Sequence, residues 1–213
     1  MKKIILLIAF VSVFANALSL EQVRNDLAKN LISRDSVEMR IRSSVSSSML
    51  SGKQNVYIYM VRKGFSKIYT ELKLPFVNQR SIVNGNRMKV IDLSTRKSEI
   101  IPYNGESLKT AAYMDFNPLM TGEWQEPKLV SENIYAITGE KGTLYYDSKK
   151  KRIEKMENET GSQSTLTTFT YDLNNNIKTM RISVIVDGVE TEVLVEILTL
   201  RHSKDFSDRL FEF

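Results

Sequence analysis

Apolar and polar residues alternate with a period of two along most of this chain, which predicts β-strands with one dry and one wet face. A clear example covers residues 67–74, where apolar Ile68, Leu72 and Leu74 alternate with polar neighbours. Pro75 ends this strand because proline has no amide hydrogen to donate to a neighbouring strand.

Hairpin turns join such segments at short intervals. Asn84, Gly85 and Asn86 form a turn that needs a positive φ, and Asp187-Gly188 is a second strong hairpin signal. Around eleven antiparallel strands with few crossover helices predict a mainly β (α+β) fold. Its main element would be one large curled antiparallel sheet, an unclosed β-barrel.

Helical spacing replaces the period of two near the N-terminus. Ser19 and Gln22 have the spacing of a capping box, and the predicted helix ends near Arg34. Such a helix would cover one face of the sheet with its apolar stripe. The stripe is Leu20, Val23, Leu27 and Leu31.

A second helical segment is predicted between Tyr103 and Pro127, where strand character is weak. Pro118 suits the first turn of a helix. We interpret this segment as a helical lid over the sheet. Its candidate lid residues are Met114, Phe116, Leu119, Met120 and Trp124.

The first residues have the features of a secretory signal peptide. Lys2 and Lys3 precede an apolar run of 11 residues, and Ala15 and Ala17 fit a small-x-small cleavage site. We therefore expect residues 1–17 to be the signal peptide and residues 18–213 to form one exported periplasmic domain. An uncleaved anchor is the alternative.

Composition excludes several kinds of chemistry. The 213-residue chain has no cysteine and a single histidine, so thiolate sites, a serine triad and a multi-histidine metal site are excluded as usually built. Without Lys2 and Lys3 the net charge falls from +5 to +3, which is a poor argument for nucleic-acid binding. The sequence predicts no enzyme, no cofactor and no metal site.

Two charged groups suggest surface roles. The run from Lys149 to Arg152 is expected at a solvated hairpin tip, with contact to anionic lipid headgroups or an acidic partner as the alternative. Glu190 and Glu192 are expected on the solvated face of an alternating strand.

Three segments resemble the periplasmic outer-membrane lipoprotein-carrier (LolA-like) family. The first is a strand-and-turn core, the second is similar to the family's Pro-x-Leu-Leu-x-Gly helix, and the third is similar to its C-terminal Asp-x-x-Phe-x-Phe. Their residues are Pro75, Gln79, Ile82, Val83 and Gly85, then Asn117 to Gly122, then Asp208, Phe211 and Phe213.

This resemblance implies a half-barrel with a helical lid around a cavity for acyl chains. It implies a monomeric carrier of lipoproteins or other lipids, working between an inner-membrane donor and an outer-membrane acceptor. The family's lid-latching arginine has no counterpart between Lys67 and Glu71, where Arg62 and Arg80 are the nearest candidates.

The apolar side of the predicted strands supplies the candidate cavity. Nine methionines suit an adaptable apolar surface. The alternative is a packed interior, which would make the chain a non-enzymatic envelope interaction protein of the same fold. The candidate cavity residues are Ile68, Leu72, Met88, Met180, Ile182, Val184, Val186, Val193 and Val195.

The signal-peptide interpretation predicts that the exported protein begins at Leu18. N-terminal sequencing of the periplasmic form checks this. A membrane fraction that retains Met1 would show that the segment is an anchor instead.

Overall fold

Antiparallel hairpins place thirteen strands in a single open sheet. The structure is a computed structural model, and it describes residues 18–29, 36–48, 52–64, 66–104, 118–120, 122–203 and 206–213. The helix α1 is Leu20–Lys29. The strands are β1 (Ser36–Ser47), β2 (Gln54–Lys63), β3 (Lys67–Lys73), β4 (Asn78–Asn84), β5 (Arg87–Asp92), β6 (Ser98–Pro102), β7 (Lys128–Ser131), β8 (Ile134–Gly139), β9 (Gly142–Asp147), β10 (Arg152–Thr160), β11 (Gln163–Tyr171), β12 (Ile177–Val186) and β13 (Val189–His202).

The sheet consists of two meanders joined through one long-range pair. Its order is β6-β5-β4-β3-β2-β1-β13-β12-β11-β10-β9-β8-β7, so only β1 and β13 are neighbours without being consecutive. Strands β6 and β7 are the two edges, and the sheet does not close. The predicted fold class is confirmed. The strand that the sequence pattern did not indicate is β7, which has four residues.

Both predicted hairpin turns are confirmed by their backbone. Gly85 has a φ of +64° between β4 and β5. Asp187 and Gly188 have φ values of +49° and +80° between β12 and β13. Two consecutive residues at positive φ characterise the type I′ turn, whose twist matches that of the flanking strands.

The predicted capping box at the start of α1 is also confirmed. The Ser19 amide donates to Gln22 Oε1 at 2.9 Å, and the Gln22 amide donates to Ser19 Oγ at 3.2 Å. The Leu20 amide donates to Glu126 Oε2 at 2.9 Å, which places a carboxylate at the positive end of the helix. The predicted helix end near Arg34 lies outside the described residues.

The face of the sheet that carries α1 is called the inner face here. The apolar stripe of α1 packs on β8 to β11, and Met180 of β12 packs against the same group. This helix cluster consists of Leu20, Val23, Leu27, Leu119, Ile137, Leu144, Tyr146, Ile153 and Phe169.

A second group on the inner face lies where β1 to β4 meet. It is called the central cluster and includes Tyr103, which directly follows β6. Cross-strand register places it on the same face as Met180, because Met180 is opposite Val195 and Val195 is opposite Ser43, two positions from Ile41. The central cluster consists of Met39, Ile41, Met60, Ile68, Val83 and Tyr103.

The other face, called the outer face, is covered over β2 to β4 by the C-terminal segment. Phe206 and Phe211 pack there on Val61 and Ile82. Asp208 forms salt bridges with Lys63 at 2.8 Å and with Lys67 at 3.1 Å. Strand β2 is apolar on both faces, and both are covered, with Met60 buried on one side and Val61 buried on the other.

The C-terminal segment predicts unequal effects for two phenylalanines that are two positions apart. Phe211 is 0% exposed, so Phe211→Ala should lower the free energy of unfolding by about 3–5 kcal/mol. Phe213 is 42% exposed and has the Arg87 guanidinium 5.2 Å from its ring centroid. Phe213→Ala should cost no more than about 1 kcal/mol. Urea unfolding curves measure both, and equal losses would contradict this packing.

Candidate functional site

Burial on the inner face decreases from one end of the sheet to the other. Along β1, Val37, Met39 and Ile41 are 0%, 1% and 5% exposed, whereas Ser43 and Val45 further along the same face are only half-buried. The end toward which exposure increases carries the β1–β2, β3–β4, β5–β6 and β12–β13 turns. We call it the open end.

Strand β12 shows the same trend from its start to its hairpin. Met180 packs against the helix cluster, Ile182 and Val184 are half-buried, and Val186 at the hairpin is 42% exposed. On the neighbouring strand Val193 lies directly opposite Ile182. The middle strands therefore present an apolar inner surface that is incompletely covered near the open end.

The sizes of the elements explain this incomplete cover. Neighbouring strands are about 4.8 Å apart, so thirteen strands extend over roughly 58 Å of sheet. The ten-residue α1 is about 15 Å long and about 10 Å wide, enough to cover a few strands. Its contacts are with β8 to β12, so it leaves β13 and β1 to β3 without a helix from the described residues.

Register places all nine predicted cavity residues on the inner face. They differ in what surrounds them. Ile68 is buried in the central cluster, and Met88 and Val195 pack against that cluster. Met180 packs against the helix cluster. The five that are half-buried or exposed toward the open end are Leu72, Ile182, Val184, Val186 and Val193.

The predicted lid residues are only partly within the described ranges. Met114, Phe116 and the side chain of Met120 lie outside them. Leu119, in the 3₁₀ turn Pro118–Met120, is 1% exposed and belongs to the helix cluster.

Trp124, also predicted in the lid, lies at the edge of the sheet. It forms a β-bridge with Gly139 and packs against the helix cluster. A Cβ atom added at Gly139 would lie 2.7 Å from the Trp124 ring and 2.5 Å from the Glu123 carbonyl oxygen. Glycine is therefore needed at position 139 because the indole lies directly over its backbone.

The two arginines near the expected latch position lie on opposite faces. Arg62 is opposite Ile68 and Val37 in register, so it is on the inner face, and it is 4% exposed. Arg80 is on the outer face, where it forms a salt bridge with Glu71 at 2.7 Å. Both were candidates from the sequence, and the structure places only Arg62 on the inner face, at the buried end opposite the open end.

The phenols of the helix cluster add no charge to the inner face. Burial is the main cause that raises the pKa of Tyr146, and its hydroxyl also donates to Asp26 Oδ2 at 2.9 Å. Burial likewise raises the pKa of Tyr171, whose hydroxyl donates to the Ile153 carbonyl oxygen. Both phenols are neutral at physiological pH, so this part of the surface is polar only at its margin.

The lysine-rich run at the β9–β10 turn is held by carboxylates of the same chain. Lys150 lies 3.0 Å from both Asp147 and Glu154, and Lys151 lies 3.4 Å from Asp26 of α1. This turn therefore fastens α1 to the sheet. The turn position was predicted, but the internal pairing was not, because the partner Asp26 is distant in sequence.

The carboxylates of β13 behave as expected for a solvated strand face. On the outer face Glu190 accepts from the Ser183 hydroxyl at 2.9 Å, and Glu192 pairs with Arg181 at 2.7 Å. Across the described ranges, no group of three His, Asp or Glu side chains could hold a metal ion. None of the helices in those ranges is long and apolar enough to cross a bilayer.

A cleft of about 490 Å³ lies beside α1, away from the half-buried apolar residues. Its lining is largely polar and includes Asn25, Asp26 and Lys151, so it suits an acyl chain less well than the inner face of the central strands.

Solved structures that share this fold include two with a TM-score above 0.5. A LolA superfamily protein from Nitrosomonas europaea aligns with a TM-score of 0.57 at 13% identity, covering 92% of this chain and 99% of its own. A domain from Vibrio parahaemolyticus, described as an outer membrane lipoprotein-sorting protein, aligns with a TM-score of 0.53 at 7% identity, covering 89% and 94%.

No protein-family model and no curated protein sequence matches this chain. At such low identities, the structural likeness concerns the fold. The matches extend over nearly the whole chain and agree with the open antiparallel sheet described above. In its fold, this chain is therefore a LolA-like half-barrel.

Proposed function

We propose that this protein is a periplasmic carrier that binds the acyl chains of lipoproteins, or of other lipids, on the inner face of its sheet. The observation that carries the proposal is the half-buried apolar surface of Leu72, Ile182, Val184 and Val193 near the open end. One of the solved structures with this fold is described as a lipoprotein-sorting domain, which supports the same class of cargo.

The hydrophobic effect makes such a surface better suited to a lipid than to a small polar ligand. Each methylene group removed from water is worth about 0.8 kcal/mol, so an acyl chain of about a dozen methylenes gains on the order of 10 kcal/mol from full burial. An incompletely covered apolar surface on the protein also gains free energy when the acyl chain covers it. Carrier and chain therefore each remove the other's exposed area from water.

Delivery toward the outer membrane completes the proposal. The signal-peptide features of the N-terminus support a periplasmic location, where a lipid-modified protein needs cover between the two membranes. A donor in the inner membrane and an acceptor in the outer membrane are the expected partners, and the carrier acts as a monomer. Binding and release alone are sufficient, so no catalysis is required.

The first prediction concerns the open surface itself and compares two isoleucines on the same face. Ile137 is 0% exposed in the helix cluster, so Ile137→Ala should cost about 2–5 kcal/mol of unfolding free energy. Ile182 has fewer partners because it is half-buried, so Ile182→Ala should cost about 1 kcal/mol or less. Urea unfolding of cargo-free protein measures both. Equal costs would mean that the surface is packed in solution.

The second prediction concerns lipid uptake. Ile182→Glu should eliminate binding of a fluorescent fatty-acid probe kept below its micelle concentration, because a carboxylate is costly to bury against an acyl chain. The matched control is Thr168→Glu on the outer face. Thr168 lies opposite Arg181 and Lys155 in register, so the new carboxylate there faces cations and should leave uptake intact.

The probe experiment also separates the two candidate functions. Two results together would exclude the carrier function. The wild-type protein would bind no acyl probe, and Ile182→Ala would cost about 2–5 kcal/mol of unfolding free energy, as at a fully packed position. The chain would then be better described as an envelope interaction protein with a packed interior.

A further inference from the structure

The β3–β4 turn at the open end carries the most prominent apolar side chain in the described part of that end. Phe76 is 97% exposed and its neighbour Val77 is 41% exposed. The Leu74 amide donates to the Val77 carbonyl oxygen at 2.7 Å, so a backbone hydrogen bond closes the turn behind Pro75 and Phe76. We call residues 74–77 the apolar tip.

A single exposed apolar side chain is common on protein surfaces, so the exposure of Phe76 indicates a binding surface only if its surroundings support one. Three neighbouring hairpins of the open end place four cations around the tip. One is in the β1–β2 turn, one ends β3, and two are in the β5–β6 turn. This cationic rim consists of Lys53, Lys73, Arg96 and Lys97.

The rim cations are available to an external anion. Within the described ranges none of the four takes part in a salt bridge. Asp92, at the start of the β5–β6 turn, accepts from the Thr95 and Ser94 amides at 3.0 and 2.8 Å, and these bonds hold its pKa below the usual range. Its carboxylate thus closes the β5–β6 turn.

The lysine-rich β9–β10 turn at the opposite end provides a contrast. Three of its four cations are paired with carboxylates of the same chain. Most of the basic run that stands out in the sequence is therefore neutralised within the chain, whereas the dispersed cations of the rim form no salt bridge in the described ranges. The acidic hairpin residue Asp187 borders the rim on the β12–β13 side and limits it to the β1–β6 half of the open end.

We propose that the open end docks on an anionic lipid bilayer, with the apolar tip entering the boundary between headgroups and acyl chains. Aromatic side chains and Lys or Arg at the same level are typical of groups that lie at a membrane interface. The rim cations lie near the lipid phosphates and attract the protein to them. An acidic protein surface is less suited, because the cations are dispersed over three hairpin tips and do not form one patch.

Docking in this way directs the uncovered part of the inner face toward the bilayer. The inference does not rest on the proposed carrier function, because the open end either binds a lipid surface or does not, with or without cargo. The two proposals therefore fail separately.

The test is co-sedimentation of the exported protein, in its processed form, with vesicles. Vesicles of phosphatidylcholine with a minority of phosphatidylglycerol should bind it, and vesicles of phosphatidylcholine alone should bind it much more weakly. Phe76→Ser should lower the partition coefficient about tenfold, since a buried phenylalanine contributes on that scale.

The chain offers a matched apolar control. Leu173 is 105% exposed in the β11–β12 turn at the opposite end, so Leu173→Ser removes an equally exposed apolar side chain. It should leave vesicle binding unchanged. Both residues are fully exposed, so neither substitution should affect folding, which thermal unfolding checks.

A second pair of variants tests the charge. Lys73→Glu with Lys97→Glu should lower binding to anionic vesicles by about tenfold or more. Lys149→Glu with Lys178→Glu makes the same change in net charge at the opposite end, where both side chains are exposed, and should have a much smaller effect. Absence of wild-type binding to anionic vesicles, or equal losses for the two ends in either pair, would overturn the proposal.

Discussion

The antiparallel pairing of β1 with β13 is the interaction on which the rest of this structure depends. It joins two meanders from opposite ends of the chain into one sheet of thirteen strands. A sheet this wide has more inner surface than a helix of ten residues can cover. The cover is therefore uneven. On the inner face α1 lies over β8 to β12, and on the outer face the C-terminal segment lies over β2 to β4. An apolar surface near the open end of the inner face is left half-covered.

Local features of the fold were predictable from sequence because they depend on neighbouring residues. The period of two predicted the strands and which residues share a face. Gly85 and Asp187-Gly188 predicted turns with the observed backbone conformation, and the spacing of Ser19 and Gln22 predicted the helix cap. Strand β7 was missed because its four residues are too few to show an alternation of apolar and polar positions. Its place in the sheet is determined by pairing with β8. The C-terminal cover of β2 was also missed, since no local pattern indicates which distant segment will occupy a face.

The candidate site was predictable in one respect and not in another. Strand parity correctly grouped Ile182, Val193 and Leu72 on one face. Burial could not be predicted from parity, because it depends on where α1 and Tyr103 lie over the sheet. For the same reason the sequence could not distinguish inner-face Arg62 from outer-face Arg80, or show that the lysines after Asp147 are neutralised by residues as distant as Asp26.

If the uncovered inner face holds an acyl chain, native mass spectrometry of protein purified from its own cell envelope will detect the bound lipid. We expect a population heavier than the processed chain by the mass of a lipid or of an acylated peptide. That population should disappear after delipidation and be absent from an Ile182→Glu variant purified in the same way. A single species at the mass of the bare chain, from wild type purified without detergent, would mean that the inner face carries no lipid and that the protein is not an acyl-chain carrier.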